Sequence, residues 1–577
     1  MNRRIILSVL CLAGLSAPAW CADPQTPAAS EQTTGATAAD LEALKQKIAA
    51  QQEQIKKLQA AMDEQQKLLE QSLQNMQAEA ARTTTKNGTP VVEASTSTQG
   101  GPVRLVPALS GGPNSRAYAG QPSGNAQNPC ESDDASPTYI RIGNVCVVPI
   151  GFMDLTGVWR NVNAGSSIGT NFGSIPLNSN INAKNSEFRF SPQNSRIGFR
   201  IDGDWKGTHF IGYNEFDFLG TSGATNLTVT NGAFVPRLRL FWVDVRKGKI
   251  EFLGGQSWSM LTPNRSGISA LPSDIFYSQV MDVNYMAGLT WTRQPGVRVL
   301  VHPSEKVTFG VSFENPDQYM GGANGSSAAL LPTALGALAT TQLDNGGSIS
   351  GTSTVLSTPT VMPDIIAKVA FDPSSRFHFE VAGITSQFKV FNNATTGPGI
   401  NQHYSTTGAG LQVGLNGAIT RNFRLITTNF WDDGEGRYLF GQAPDVILRA
   451  NGALSAVHSA GTVDGFEATM KNTLLFGYYG GIYIGRDIAL DANGTSLVGY
   501  GYKGSSQNRD IQEITFGFNQ TMWKNPRYGA LSLIGQYEWA DRSLWYWTTA
   551  IAGGKGAHDN TIYMDVRYTL PGSMPKF

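Results

Sequence analysis

Near the end of the chain stands Thr561-Ile562-Tyr563-Met564-Asp565-Val566-Arg567-Tyr568-Thr569-Leu570. Ile562, Met564, Val566, Tyr568 and Leu570 alternate there with Thr561, Tyr563, Asp565 and Arg567. Successive side chains of a strand point to opposite faces, so this segment shows one oily face and one wet face. The same alternation recurs from about Gly151 onward. A soluble sandwich would also alternate. Here the apolar faces are rich in Phe, Trp and Tyr, the segments run to roughly ten residues, and a secretion-type leader precedes them. Together these predict an all-β transmembrane β-barrel with lipid outside and water inside.

The pattern can be followed strand by strand. Met153, Leu155 and Trp159 alternate with Asp154, Thr156 and Arg160. Ile197, Phe199 and Ile201 oppose Arg196, Arg200 and Asp202. Phe210, Phe216 and Phe218 oppose His209, Tyr213, Glu215 and Asp217, and Leu238, Leu240 and Trp242 oppose Arg237 and Arg239. Further on, Val307, Phe309, Val311 and Phe313 oppose Thr308, Ser312 and Glu314, and Phe377, Phe379 and Val381 oppose Arg376, His378 and Glu380. Two places break the rule: Phe241, Val243 and Val245 change face, and Arg293 shares parity with Trp291. A β-bulge produces such a switch. The expectation is about 16 antiparallel strands, an even number as in bacterial barrels.

Between the strands, long inserts rich in Gly, Ser, Asn and Ala lie near 164–184, 259–285, 318–361, 432–465 and 487–508. Short turns such as Pro303-Ser304-Glu305 and Asp372-Pro373-Ser374-Ser375 join other strands. Long loops on one side and short turns on the other are usual in such barrels. Inserts 259–285 and 318–361 carry apolar patches (Ile268, Leu271, Ile275, Phe276; Leu330, Leu331, Leu335, Leu338). One of them folding inward would narrow a pore; subunit contact and loop self-packing are equal alternatives.

Composition suits this reading. Of 577 residues only 15% are charged, while glycines number 64 and aromatics make up 10%. Mean hydropathy is −0.19, and no run of 18 apolar residues occurs beyond the N-terminus, so no helical membrane span is expected. A formal net charge of zero argues against nucleic acid as a partner.

Residues 1–22 read as a signal peptide: Arg3 and Arg4 form the basic head, Ile5–Leu15 the apolar core, and Ala17-Pro18-Ala19 a small-residue cleavage site. Within 38–82, Leu41, Ile48, Ile55, Met62, Leu69 and Met76 repeat at a positions, with Leu44, Gln51, Leu58, Gln65 and Ser72 at d. That 3.5-residue spacing predicts an α-helical coiled coil and therefore an oligomer; a single amphipathic helix on a surface is the alternative. Residues 83–148 read as a linker. It holds Cys130 and Cys146, which in a chain bound for an oxidising compartment predict a disulfide. The barrel is expected over 149–577.

No enzymatic constellation stands out. The six His residues are dispersed, there is no Cys-x-x-Cys, and Gly499-Tyr500-Gly501-Tyr502-Lys503-Gly504 has no helix behind it to make a dinucleotide site. Neither a cofactor nor a metal site is predicted. What remains is a polar lumen. Arg196, Arg200, Arg237, Arg239 and Arg298 fall on the wet side, with Arg376 and Arg424 as further candidates. Guanidinium stays charged and grips carboxylate or phosphate with paired bonds, so a ladder of them would favour small anions. The alternative is a mixed wall in which Glu215, Asp217, Glu251 and Glu314 neutralise these arginines as salt bridges.

The arrangement resembles the DcaP-like porins of Gram-negative outer membranes. The resemblance is carried by the leader, the Gln-rich coiled coil at 41–76, and two barrel motifs: Gly254-Gly255-Gln256-Ser257-Trp258-Ser259 and Gly288-Leu289-Thr290-Trp291-Thr292-Arg293-Gln294-Pro295. It implies a homotrimer of sixteen-stranded barrels in outer-membrane lipid. Such barrels pass small hydrophilic solutes, anionic ones preferred, with the coiled coil in the periplasm; in this chain that helix is expected to fix the oligomer or to reach the peptidoglycan. The linker with its cysteine pair, and Pro571–Lys576 between the last strand and Phe577, depart from that pattern. A ligand-specific channel for sugar or phosphate, and a plugged structural barrel anchored to the cell wall, remain rival functions.

Overall fold

The computed structural model describes residues 139–571, apart from 221–233, 277, 336–355, 358–361, 393–398 and 526. The leader, the coiled coil and Cys130 lie outside the described residues.

The described chain closes a single antiparallel barrel of sixteen wall positions. We number the wall strands β1 (Val145–Arg160), β2 (Arg196–Trp205, continuing upward as Glu187–Ser191), β3 (Thr208–Gly220), β4 (Val235–Lys247), β5 (Ile250–Trp258), β6 (Arg293–Ser304), β7 (Val307–Glu314) and β8 (Asp364–Ser374). The second half is β9 (Phe377–Asn392), β10 (Gln402–Ala418), β11 (Phe423–Asp433), β12 (His458–Met470), β13 (Thr473–Ile484), β14 (Asn508–Asn525), β15 (Gly529–Leu544) and β16 (Gly556–Thr569). Each strand pairs with the next, and β16 returns to β1 with Phe152 opposite Thr569 and Arg160 opposite Thr561. Closure leaves no wall strand with an unpaired edge.

β1 begins at Val145, four residues before the expected barrel start at 149. Short turns of two to four residues gather at one end, with the start of β1 and the end of β16; the long loops gather at the other.

The period-2 pattern sets the faces. Met153, Leu155, Ile197, Phe199, Phe309, Val311, Phe377, Phe379, Ile562 and Val566 point outward and exposed. Asp154, Thr156, Glu215, Asp217, Ser312, Glu380, Gln536 and Asp565 point inward and are buried. One assignment needs correcting. Leu240 and Trp242, read as outward, are buried inside the barrel, while Phe241, Val243 and Val245 take the outer face. In the pairing with β3, Leu240 faces Glu215 and Leu238 faces Phe216, so Arg239 is the extra residue of a bulge. One inserted residue reverses the alternation beyond it.

Much of the interior is filled. The insert between β5 and β6, residues 259–292, folds into the barrel rather than outward. Met260, Leu261, Ile275, Phe276, Met286 and Leu289 on it are buried. In the other insert with apolar patches, Met320 and Leu335 are buried in the same cluster as Met260 and Leu261.

A candidate solute path along an arginine wall

The inserted loop is held by inward-pointing side chains from much of the circumference. Backbone N–H groups of Met260, Asn264, Gly267 and Ala287 donate to Glu314 (2.7 Å), Glu380 (3.1 Å), Asp372 (3.0 Å) and Glu513 (2.8 Å). Lys368 Nζ donates to the carbonyls of Met260 (3.2 Å) and Thr262 (3.0 Å) and lies 2.9 Å from Glu380. Arg265 makes a two-pronged pair with Glu467, at 3.0 and 2.7 Å, and Tyr478 Oη donates to the same carboxylate at 2.8 Å. These partners sit on β7, β8, β9, β12, β13 and β14. Buried backbone N–H groups need acceptors, and here carboxylates of the wall supply them.

Glycine brings the loop against the wall. Gly288 has φ of +84°, and a Cβ there would stand 2.3 Å from the Gly481 carbonyl and 2.4 Å from that of Thr462. The conformation and the close approach both require glycine. This accounts for the first residue of the Gly288–Pro295 motif.

Where the loop presses, inward side chains are fully buried. Along β2, the start of β4 and the end of β16, they keep open surface. Five of the charged pairs there share one arrangement, which the more deeply buried Arg160–Glu187 and Arg239–Glu215 pairs reverse. Arg189 lies 2.7 Å from Glu187, Arg196 3.8 Å from Glu215, Arg200 2.7 Å from Asp202, Arg237 2.6 Å from Asp217, and Arg567 3.0 Å from Asp154. In each of these five the arginine is the more exposed partner: 40% against 10%, 15% against 7%, 22% against 16%, 39% against 1%, and 21% against 0%. The carboxylates lie in the wall and the guanidiniums cover them. Phe152 supports two of these cations, with Arg196 5.2 Å and Arg567 4.0 Å from its ring centroid, a favourable stacking.

Of the five arginines expected on the lumen side, three present open surface: Arg196, Arg200 and Arg237. Arg239 is buried, pairing with Glu215 at 2.6 Å and Asp217 at 2.7 Å. Arg298 is buried too; it donates to Ser257 Oγ and the Trp258 carbonyl, both at 2.6 Å, and so fixes the root of the inserted loop. Glu215 and Asp217 act as wall partners of the arginines, as the mixed-wall alternative had it. Glu251 instead meets His302 (2.8 Å), and Glu314 holds the loop. Arg376 and Arg424 line a cavity of about 80 Å³ at the short-turn end, beneath loop residues 265–271. Cys146 is buried at the start of β1.

Sequence reading missed Arg189 as a lumen residue, although Phe188 and Phe190 alternate with Glu187, Arg189 and Ser191. It also missed Tyr285, whose Oη accepts from Arg196 and Arg239, both at 3.2 Å, and ties the loop to the arginine wall. No sequence period marks a loop residue for that role.

No protein-family model and no curated protein matches the chain. Among solved structures it is similar to the outer membrane channel DcaP of Acinetobacter baumannii, with 16% identity, 74% of this chain and 97% of that one covered, and a TM-score of 0.53. It also matches an anion-selective porin from Comamonas acidovorans (12% identity, 74% and 100% covered, TM-score 0.41) and Salmonella typhi OmpF (10%, 75% and 100%, 0.40). The likeness to DcaP is one of fold. The described chain is a porin-like barrel, the fold that the resemblance to DcaP-like porins implied.

Proposed function

We propose that this chain is an outer-membrane porin of the DcaP-like kind. It passes small hydrophilic solutes by passive diffusion and prefers small anions such as carboxylates. The observation that carries the reading is the layering of each exposed pair, arginine toward the lumen and carboxylate behind it. Net charge along that wall is nearly balanced, but a passing ion meets guanidinium donors first. Such donors bind oxyanions strongly, and a charged surface in a narrow, low-dielectric passage focuses its field on the solute.

The remaining expectations complete the proposal. The leader directs export, the barrel sits in the Gram-negative outer membrane, and the coiled coil hangs in the periplasm beside peptidoglycan and helps hold a homotrimer. Cys130 and Cys146 form a disulfide near the short-turn end, which peptide mapping without reductant would detect. No reaction is catalysed.

A plugged structural barrel is the second reading. It is favoured by the loops at the long-loop end, where Tyr438, Leu439, Val446, Leu448 and Tyr500 are fully buried. Single-channel recording in a planar bilayer under a salt gradient decides between them. Stable openings with an anion-favouring reversal potential support the porin. Folded oligomer that never opens would overturn it and leave the plugged barrel.

A further inference from the structure

The outer wall of β11 and β12 carries a cluster of polar residues at mid-strand. On β2, β4, β6 and β7 the outward mid-strand positions are bulky and apolar, as at Ile197, Phe199, Val243, Val299 and Val311. In the middle of β11 and β12 they are Thr427, Asn429, Thr462 and Asp464, with Thr427 opposite Asp464 and Asn429 opposite Thr462. Asp464 is exposed and stands midway along His458–Met470. Towards the short-turn end lie the stacked rings of Phe423 and Phe466; towards the long-loop end lie exposed Trp431 and Tyr483. The polar residues therefore sit inside the apolar belt, between its aromatic borders.

They form a hydrogen-bonded cluster. Thr427 Oγ1 donates to Asp464 Oδ1 at 2.6 Å, and Asn429 Nδ2 donates to Thr427 Oγ1 at 3.2 Å. Thr462 Oγ1 is 3.0 Å from both Asn429 Oδ1 and Asp464 Oδ2. A carboxylate has more acceptor sites than these bonds fill, and hydrocarbon offers it nothing. Beside the cluster the small outward residues Ala460 and Gly481 alternate with the larger, exposed Tyr479, which stands opposite Asp464. Small residues let two membrane-spanning surfaces approach closely.

We propose that this face packs against the same face of a second copy of the chain. The cluster holds a donor in the second Nδ2 hydrogen of Asn429 and an acceptor in Asp464, so two copies facing each other across a two-fold axis complement one another. A same-to-same contact closes a pair, and in a threefold assembly it joins one trimer to the next. The inference rests on reading the barrel as an oligomeric outer-membrane protein.

The test uses the full chain in outer membranes. Thr462→Cys, treated with a thiol oxidant, is expected to give a covalent pair of twice the chain mass. Val311→Cys, on the apolar wall of β7, and the unaltered chain should give none. Thr462→Cys that forms no pair and instead reacts with a lipid-dissolved maleimide would overturn the proposal, as would equal pairing at Val311→Cys. As a second arm, Asn429→Cys should pair, and Asp464→Leu added to it should abolish the pair while the barrel stays folded. Persistent pairing would overturn the role of the carboxylate. Conductance is recorded on the same variants, so failure of this contact and failure of the porin reading give different results.

Discussion

Arg237 and Asp217 lie 2.6 Å apart on neighbouring strands, yet 39% of the arginine side chain is open to the lumen against 1% of the aspartate. The pair is neutral by charge count and cationic by what it presents. Arg237→Ala should therefore lower anion preference without unfolding the barrel, because Arg239 still holds Asp217 at 2.7 Å. Removing a charge about 4 Å from an ion's path changes its energy by about 1 kcal/mol in water, or about five-fold in selectivity. Reversal potentials under a salt gradient would show the shift, and Arg237→Lys should restore most of it.

Arg239 should behave differently. It is buried against Glu215 and Asp217, so Arg239→Ala leaves Glu215 without its main partner. Breaking a buried pair this way costs about 3–5 kcal/mol. The expected result is lower yield of folded barrel and a lower unfolding temperature, rather than a clean change in selectivity.

The pair of Arg265 with Glu467 tests whether the inserted loop sets the width of the path. Arg265→Ala removes both charge-assisted bonds from the loop and strands Glu467 in the interior. A wider, flickering channel is expected, read as larger and noisier single-channel conductance, with a stability loss of about 3–5 kcal/mol. Unchanged conductance would mean that the loop does not limit flow.

Face assignment is testable on the outer wall. Phe199 is exposed on β2, and Phe199→Arg places a cation in the lipid belt at a cost of about 2–4 kcal/mol near the midplane. Phe199→Asp should also impair assembly, by less. Leu240→Asp should act through the packed interior instead, since Leu240 is fully buried inside the barrel. Heat-modifiable mobility on gels separates assembled from unassembled chain.

Glu435, on the loop after β11, provides a pH prediction. Burial, and then the nearby Asp445 and Asp432 carboxylates, push its carboxyl well above the usual range, although Ser386 donates to it at 2.9 Å. The fold thus favours the neutral form. That stabilisation is complete below the ordinary carboxylate pKa and is lost as pH rises through the elevated folded value. Hydrogen exchange of residues 434–457 should therefore speed up on raising the pH, beyond the intrinsic chemical effect. Glu435→Gln should remove the extra acceleration.

Much of the fold was legible because period 2 is a local property. Alternation at Ile562–Leu570 or Phe377–Val381 marks a lipid face and a lumen face without knowledge of any partner strand. The misread strand shows the limit: at β4 the extra residue at Arg239 exists only relative to the register with β3, which no single strand contains. The same holds for the candidate path. Sequence placed Arg196, Arg200, Arg237, Arg239 and Arg298 on the wet side alike, and packing divided them into exposed and buried groups.

By itself the sequence determined an alternating, aromatic-rich barrel and the polarity of each strand face, because those follow from the identities of neighbouring residues. Only the tertiary structure decided that 259–292 enters the lumen, that carboxylates far apart in the chain hold it there, and that Arg189 and Arg567 join the open wall. Those outcomes depend on which surfaces are left uncovered once the sheet has closed, and that is a property of the assembled barrel rather than of any segment of it.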